Sequence, residues 1–335
     1  MTKKVQWDNT AVNMLRECNR KYYFSQLLAS KNRSNPLQRK VHELKKMQTL
    51  SMWQGSVVDK FMETVIIPKI SKKETLDFDS LADEAVEFAQ KQFDYSRQRI
   101  YTDPIAGKLE TALDFCILDI HEQGKSYEEN EIAEAYINIR AAITGLPEIR
   151  MPDGQTLLGF LKQCNALTPN VFTWKVEIEH AAVKPQIDLL AQYNWKPVVI
   201  DWKLSRSYLA DYSRQLIICG LVVFLKRLEN KDKQPYAYED IQLFEVNLFK
   251  RTVKQHEFTE ERANDMIDEI NLTSRDILLL RGEDEEPDID DFEGTDNDGS
   301  CKICSYRSIC AYLYLNNNSY DEKAFAEFVQ VTQSA

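Results

Sequence analysis

Two sets of residues in this 335-residue chain have types and spacings suited to chemistry. The first is Asp188, near the start of the run Gln186 to Tyr193, followed by Val198-Val-Ile-Asp201-Trp-Lys203. Side chains alternate along a strand, so Asp201 and Lys203 leave one face while Trp202 leaves the other. A neighbouring strand then sets Asp188 beside Asp201. Two carboxylates with open positions around them are hard oxygen ligands that suit Mg²⁺ or Mn²⁺. Such a cation would polarise a phosphodiester and acidify an attacking water. Lys203 would orient that water or neutralise charge in the transition state. Glu177, on a preceding alternating run, is a candidate further ligand, and Glu179 shares its face and competes for the role. An Asp-x-Lys triplet alone is common surface charge. This one follows an apolar run and lies thirteen residues after a second strand-borne Asp, which gives it weight.

The second set is Cys301-Lys-Ile-Cys304-Ser-Tyr-Arg-Ser-Ile-Cys310, with Cys18 in Arg16-Glu-Cys18-Asn-Arg-Lys-Tyr-Tyr-Phe24. Three thiols within ten residues and a distant fourth suggest one four-coordinate metal site that ties the two ends of the molecule together. Zinc and iron–sulfur clusters both accept four thiolates. Zinc ribbons use two paired knuckles, however, and Cys18 has no cysteine partner nearby. The odd total of seven cysteines argues against a complete disulfide framework. Cys116, Cys164 and Cys219 read as structural thiols. His42, His121, His180 and His256 fit no metal-ligand spacing.

Hydrophobic periodicity predicts the elements that would position these groups. Residues 10–29 read as a helix, and Lys31 to Lys46, basic and carrying Pro36, as a mobile loop. Helices are expected at 51–65, 80–100, 105–122 and 129–144, the last stopping at Gly145-Leu-Pro147. Strands are expected at Phe172 to Ala182, Gln186 to Tyr193 and Pro197 to Trp202. The last two are antiparallel neighbours joined through Asn194-Trp-Lys-Pro197. A helix at 207–229, a strand at 240–248 and a helix at 259–281 complete a mixed α/β core. The expected organisation is a helical region 1–165 that includes Cys18, a core 166–282, an acidic linker 283–300, and the cysteine cluster with a terminal helix at 301–335.

The net charge of −11 is segregated. Residues 283–298 hold ten acids and no base, and without them 43 acids face 42 bases. Residues 1–50 carry eleven Lys and Arg against three acids. This is either a surface that holds phosphates by releasing counterions or a solvated helix face. The longest apolar run, Leu216 to Leu225, is too short to span a bilayer, and residues 1–20 lack a secretory apolar segment. A reducing cytoplasm is the expected compartment, with no membrane partner. Arg20, Lys21, Arg206 and Arg214 are candidate phosphate contacts. No residue choice reads base identity.

Taken with its surroundings, Ile187-Asp188 followed by Val-Val-Ile-Asp201-Trp-Lys203-Leu-Ser205 resembles the core of the PD-(D/E)XK nucleases. Within them it is similar to the RecB/AddB branch, which includes the iron–sulfur CRISPR-associated nucleases and mitochondrial-type exonucleases. That resemblance implies a restriction-endonuclease-like mixed sheet with a large N-terminal helical elaboration. It assigns a role to the strand glutamate Glu177, and it makes Gln215 a catalytic residue on the helix after the lysine. Asp59, in Gly55-Ser-Val-Val-Asp59, stands where the branch has a metal-binding histidine. Cys219 replaces the branch's tyrosine four residues after Gln215, and Pro185 replaces a glycine before Asp188. At the termini, Cys18-Asn-Arg-Lys-Tyr-Tyr-Phe24 and the spacing of Cys301, Cys304 and Cys310 are similar to the iron–sulfur members. The resemblance therefore implies a structural [4Fe–4S] cluster held by Cys18, Cys301, Cys304 and Cys310, and Mg²⁺ or Mn²⁺ at Asp59, Asp188 and Asp201. It leaves 80–165 unexplained. The implied function is a DNA exonuclease or end-trimming nuclease that prefers single strands. The alternative is a non-catalytic DNA-binding accessory subunit of a helicase–nuclease or CRISPR-adaptation complex, or a zinc-containing DNA-binding protein.

Overall fold

The computed structural model describes residues 4–30, 34–103, 112–207, 211–282 and 287–333. The chain divides into two compact units, both built from discontinuous stretches. The first comprises 1–8, 54–89 and 133–276, and the second 9–53, 90–132 and 277–335. Among the described residues no helix is long and apolar enough to cross a membrane.

The first unit contains a five-stranded mixed sheet. Its strands are β2 (Ala166–Val171), β5 (Ile187–Tyr193), β6 (Lys196–Lys203), β7 (Gln242–Asn247) and β8 (Thr252–His256), in the order β2-β5-β6-β7-β8. β5 and β6 form the expected antiparallel hairpin, with Tyr193 opposite Lys196. Its two turn residues, Asn194 and Trp195, both take positive φ, 50° and 64°. That conformation matches the twist of a two-residue hairpin. β6 and β7 run parallel, which requires a crossover, and the helix Ser213–Glu229 supplies it. β6 is buried along Pro197–Trp202, as a central strand covered on both faces must be.

A second, three-stranded sheet in the same unit has the order β1-β4-β3, with β1 at Val5–Trp7, β3 at Val176–Ile178 and β4 at Ala181–Val183. The single strand expected at 172–182 is therefore a hairpin. Glu179 takes φ 39° and reverses the chain, so that Val176 pairs with Val183. The edge strands β2 and β8 escape the periodicity argument. β2 contains Pro169, which an edge strand tolerates because one side of its ladder is unpaired.

The second unit corrects three expectations. The helix at 10–29 is broken at Cys18, whose extended φ of −168° separates Asn9–Glu17 from Asn19–Tyr22 and the π-helical turns Tyr23–Leu28. The basic stretch up to Lys46 is a helix over Pro36–Lys46. Pro36 starts that helix, because its missing N–H is one of the unpaired donors of a first turn, and Asn35 caps it by accepting from Gln38 N at 3.1 Å. The expected helix at 105–122 lies partly outside the described residues. Within them only Asp119–Glu122 is helical, while Gln48 pins the chain on either side of Leu118, donating to Ile117 O and accepting from Asp119 N. The acidic linker is anchored over its described part, since Phe292 is fully buried, lies 5.0 Å from Tyr23 and accepts from Arg20 Nε at 3.0 Å.

Candidate active site

The sheet of the first unit assembles the site. Leu189 stands opposite Ile200, and one step further along the same register Asp188 faces Asp201. Trp202 N donates to Asp188 Oδ2 at 2.9 Å. Lys203 Nζ lies 2.5 Å from Asp201 Oδ2. Gln215, in the first turn of the crossover helix, closes the set. Its Nε2 donates to Asp201 Oδ1 at 2.8 Å, and its Oε1 accepts from Lys203 Nζ at 3.2 Å. Each end of one amide thus fixes a different partner, which orients both the carboxylate and the ammonium. Tyr212 places its ring 4.6 Å from the Lys203 nitrogen.

Electrostatics marks these groups as strained in charge. Burial and the neighbouring Asp201 and Asp59 carboxylates push Asp188 well above the usual carboxylate range. Burial also raises Asp201, although Lys203 works against it. Asp59, on the helix Leu50–Phe61, is pushed up to about 6 by burial, Glu63 and Asp201. Three carboxylates therefore crowd the Lys203 ammonium, with Lys60 a weaker counter-charge on Asp59, and the deficit of positive charge is what a divalent cation would fill. The donor set of hard oxygens fits Mg²⁺ or Mn²⁺.

Glu177 is not brought into this group. It lies on β3, half-exposed, where Lys4 holds it at 2.6 Å and Lys175 at 3.4 Å. Glu179 pairs with Arg275 at 2.8 Å and His180 at 3.2 Å. Strand alternation fixed the face of Glu177, but the turn at Glu179 assigns that face to the smaller sheet.

Four side chains to which the sequence reading assigned no part in the site do belong to the neighbourhood. Glu63 lies one turn beyond Asp59, and Asn170 on β2 donates to it at 2.9 Å. Glu245 faces Asp201 across the parallel β6–β7 pair, raises it, and is held by His256 at 3.1 Å. Cys219, read as a structural thiol, is buried one turn beyond Gln215 and feels the charges of Asp201 and Asp188. The i, i+4 spacing of Glu63 and Cys219 from site residues is a sequence signal, whereas Asn170 and Glu245 carry none.

Arg206 is held by Glu134 at 3.0 Å and Asn138 at 3.1 Å, and stacks 4.5 Å from Phe249. Arg214 pairs with Glu269 at 2.8 Å and lines a cavity of about 820 Å³ together with Ser213, Lys254 and His256.

The candidate cluster ligands all lie in the second unit and none forms a disulfide. Cys18 caps Asn19–Tyr22, its Sγ accepting from Lys21 N at 3.4 Å. Burial raises the Cys304 and Cys310 thiols. Lys21 acts against this at Cys304, and Arg20 does so at Cys310, partly through a side-chain hydrogen bond. Cys304 also feels Cys18 and Cys310, while Cys310 feels Cys18 and Cys301. Cys304 and Cys310 pack against a core of Phe24, Tyr306 and Ile309, with Phe24 and Tyr306 rings 5.5 Å apart. Tyr22 is buried and Tyr23 packs on Phe292, so this aromatic run builds core. Lys21 Nζ also pairs with Glu17 at 2.7 Å. In donor type the set fits iron–sulfur or zinc. Among the described residues, no three His, Cys, Asp or Glu side chains converge closely enough to enclose an ion at either place.

No curated protein matches the chain significantly. The family model of the PD-(D/E)XK nuclease superfamily matches residues 7–311, a span that takes in the facing aspartates, the lysine and the glutamine as well as all four candidate cluster cysteines. The mixed sheet, its buried Asp201 and the part-buried Asp188 and Lys203 agree with that match, and the chain belongs to the PD-(D/E)XK superfamily, whose members are typically nucleases.

Proposed function

We propose that the protein is a metal-dependent deoxyribonuclease that hydrolyses phosphodiester bonds at DNA ends, preferring single strands. The observation that carries this reading is the Asp188, Asp201, Lys203 and Gln215 set, joined by short polar contacts at the sheet. A bound Mg²⁺ or Mn²⁺ would supply charge stabilisation and lower the pKa of an attacking water. The chain's own residues do the positioning. Asp188 and Asp201, with Asp59 beside them, repel a bare phosphate and so tie substrate entry to cation entry. Gln215 holds the Lys203 ammonium so that it meets charge developing on the phosphoryl oxygens. Lys203 is mostly buried, at 15% exposed, so its charge acts in a medium that screens it weakly.

End-trimming, single-strand preference and a structural [4Fe–4S] cluster at Cys18, Cys301, Cys304 and Cys310 rest on the resemblance to the RecB/AddB branch. So does a helicase or CRISPR-adaptation partner. The bonded Lys203–Asp201–Gln215 set favours catalysis over an accessory role. The deciding test is cleavage of end-labelled single- and double-stranded DNA with Mg²⁺ or Mn²⁺. Asp201→Ala should abolish cleavage, and Lys203→Ala should lower it by about 10²–10³, the usual cost of removing one charge-stabilising group. Activity at the wild-type level in Asp201→Ala would sink the assigned site.

A further inference from the structure

Asn170 takes a left-handed backbone inside a strand, and its side chain has one job. Pro169 stands opposite Leu189 and Val171 opposite Ile187, so Asn170 lies across from Asp188 on the neighbouring strand. Its φ is 49°, in the left-handed region that favours glycine. Its Nδ2 donates to Glu63 Oε1 at 2.9 Å, while its Oδ1 is buried and meets no donor. Glu63 belongs to the π-helical turn Met62–Ile66, which follows directly on the helix that carries Asp59. Lys60 holds the other Glu63 oxygen at 2.9 Å, so both oxygens are occupied and the carboxylate is fixed. The Asn170–Glu63 bond therefore ties the helix of Asp59 to the strand that faces Asp188. Asp59 in turn lies within electrostatic reach of Glu63, Asp201 and Lys203.

We propose that Asn170, acting through Glu63, is a positioning residue of the cation site: it sets where the helix carboxylate Asp59 stands relative to the strand carboxylates Asp188 and Asp201. The assignment rests on the reading of that site as a metal centre. It explains why an asparagine occupies a left-handed position, since glycine would relax the backbone and lose the bond. Partners of this kind, which hold ligands without touching the metal, typically govern affinity by about 10–100-fold.

The test uses the purified full chain, with Mn²⁺ affinity measured by calorimetry and melting temperature measured in chelator. Asn170→Gly should melt at or above the wild-type temperature, because glycine suits the positive φ, yet bind Mn²⁺ at least about tenfold more weakly. Combining it with Glu63→Ala should weaken binding no further than Glu63→Ala alone, because both changes remove one bond. Asp59→Ala is the reference. Wild-type affinity in Asn170→Gly with weakened binding in Asp59→Ala overturns the inference and leaves the metal-centre reading standing. Unchanged affinity in both removes Asp59 from the site, and the inference falls with it. An earlier metal-free melt in Asn170→Gly marks a structural role and also overturns it, as do additive losses in the double variant.

Discussion

Replacing Asp59 by asparagine should stabilise the metal-free protein, and the size of the effect follows from the crowding of carboxylates. Burial, Glu63 and Asp201 push the Asp59 carboxyl from 3.8 up to about 6. A raised carboxyl binds its proton more tightly in the folded chain than in the unfolded one, so stability falls as pH rises from about 4 to about 6 and stays low above that. Each pKa unit is worth about 1.36 kcal/mol, so the charged carboxylate costs about 3 kcal/mol at pH 7. Solvent reaching the site brings the expected gain in Asp59→Asn to about 1–3 kcal/mol, or on the order of 5 °C in melting temperature. The assay is thermal melting in chelator at pH 4, 5, 6 and 7. The difference between variant and wild type should be absent at pH 4 and full by pH 7. Saturating Mn²⁺ should reverse the order, because a ligand that binds only the folded state stabilises the better binder more. A variant that melts earlier than wild type at pH 7 in chelator, or a gain that is the same at pH 4, would refute the reasoning.

Two further outcomes are expected in the second unit. Cys304→Ser and Cys18→Ser should lose iron and the absorbance near 400 nm of anaerobically purified protein, and should melt earlier, because metal binding contributes directly to folding free energy; wild-type iron in both would dissolve the proposed cluster. Glu122→Ala should cost about 1–3 kcal/mol, because it removes a carboxylate that is 4% exposed and leaves the buried Tyr101 hydroxyl without its acceptor, while Lys40 and Arg99 can turn to solvent. Burial raises that carboxyl, but Lys40, Tyr101 and Arg99 outweigh it and hold it below 4.5, so the gap between wild type and variant should be full above that pH and shrink in acid. A pH-independent gap in denaturant melts would count against this network.

The pairing of Asp188 with Asp201 was legible because its causes are local. Apolar runs specify strands, alternation specifies faces, and a short Asn-Trp connection specifies an antiparallel register. Gln215 was named only through the resemblance to the RecB/AddB branch, and the fold places it in the first turn of the helix that returns the chain to the parallel strand β7. The helices Glu129–Thr144 and Glu260–Arg281 carry their own periodicity and needed nothing more. Pro36 was equally local, and misled because the same residue starts a helix or breaks one according to whether a cap such as Asn35 precedes it.

Tertiary structure decided the rest. Glu177 kept its predicted face but lost the site, because the turn at Glu179 gives its strand to another sheet. Residues 112–118 have helical spacing, yet two backbone hydrogen bonds to Gln48, some seventy residues away in sequence, hold the chain extended around Leu118. Asn170, Glu63 and Glu245 surround the aspartates through register and hydrogen bonds between distant segments. Periodicity records which side of an element is buried. It does not record what lies against that side, since packing energy depends on partners that sequence order does not bring together.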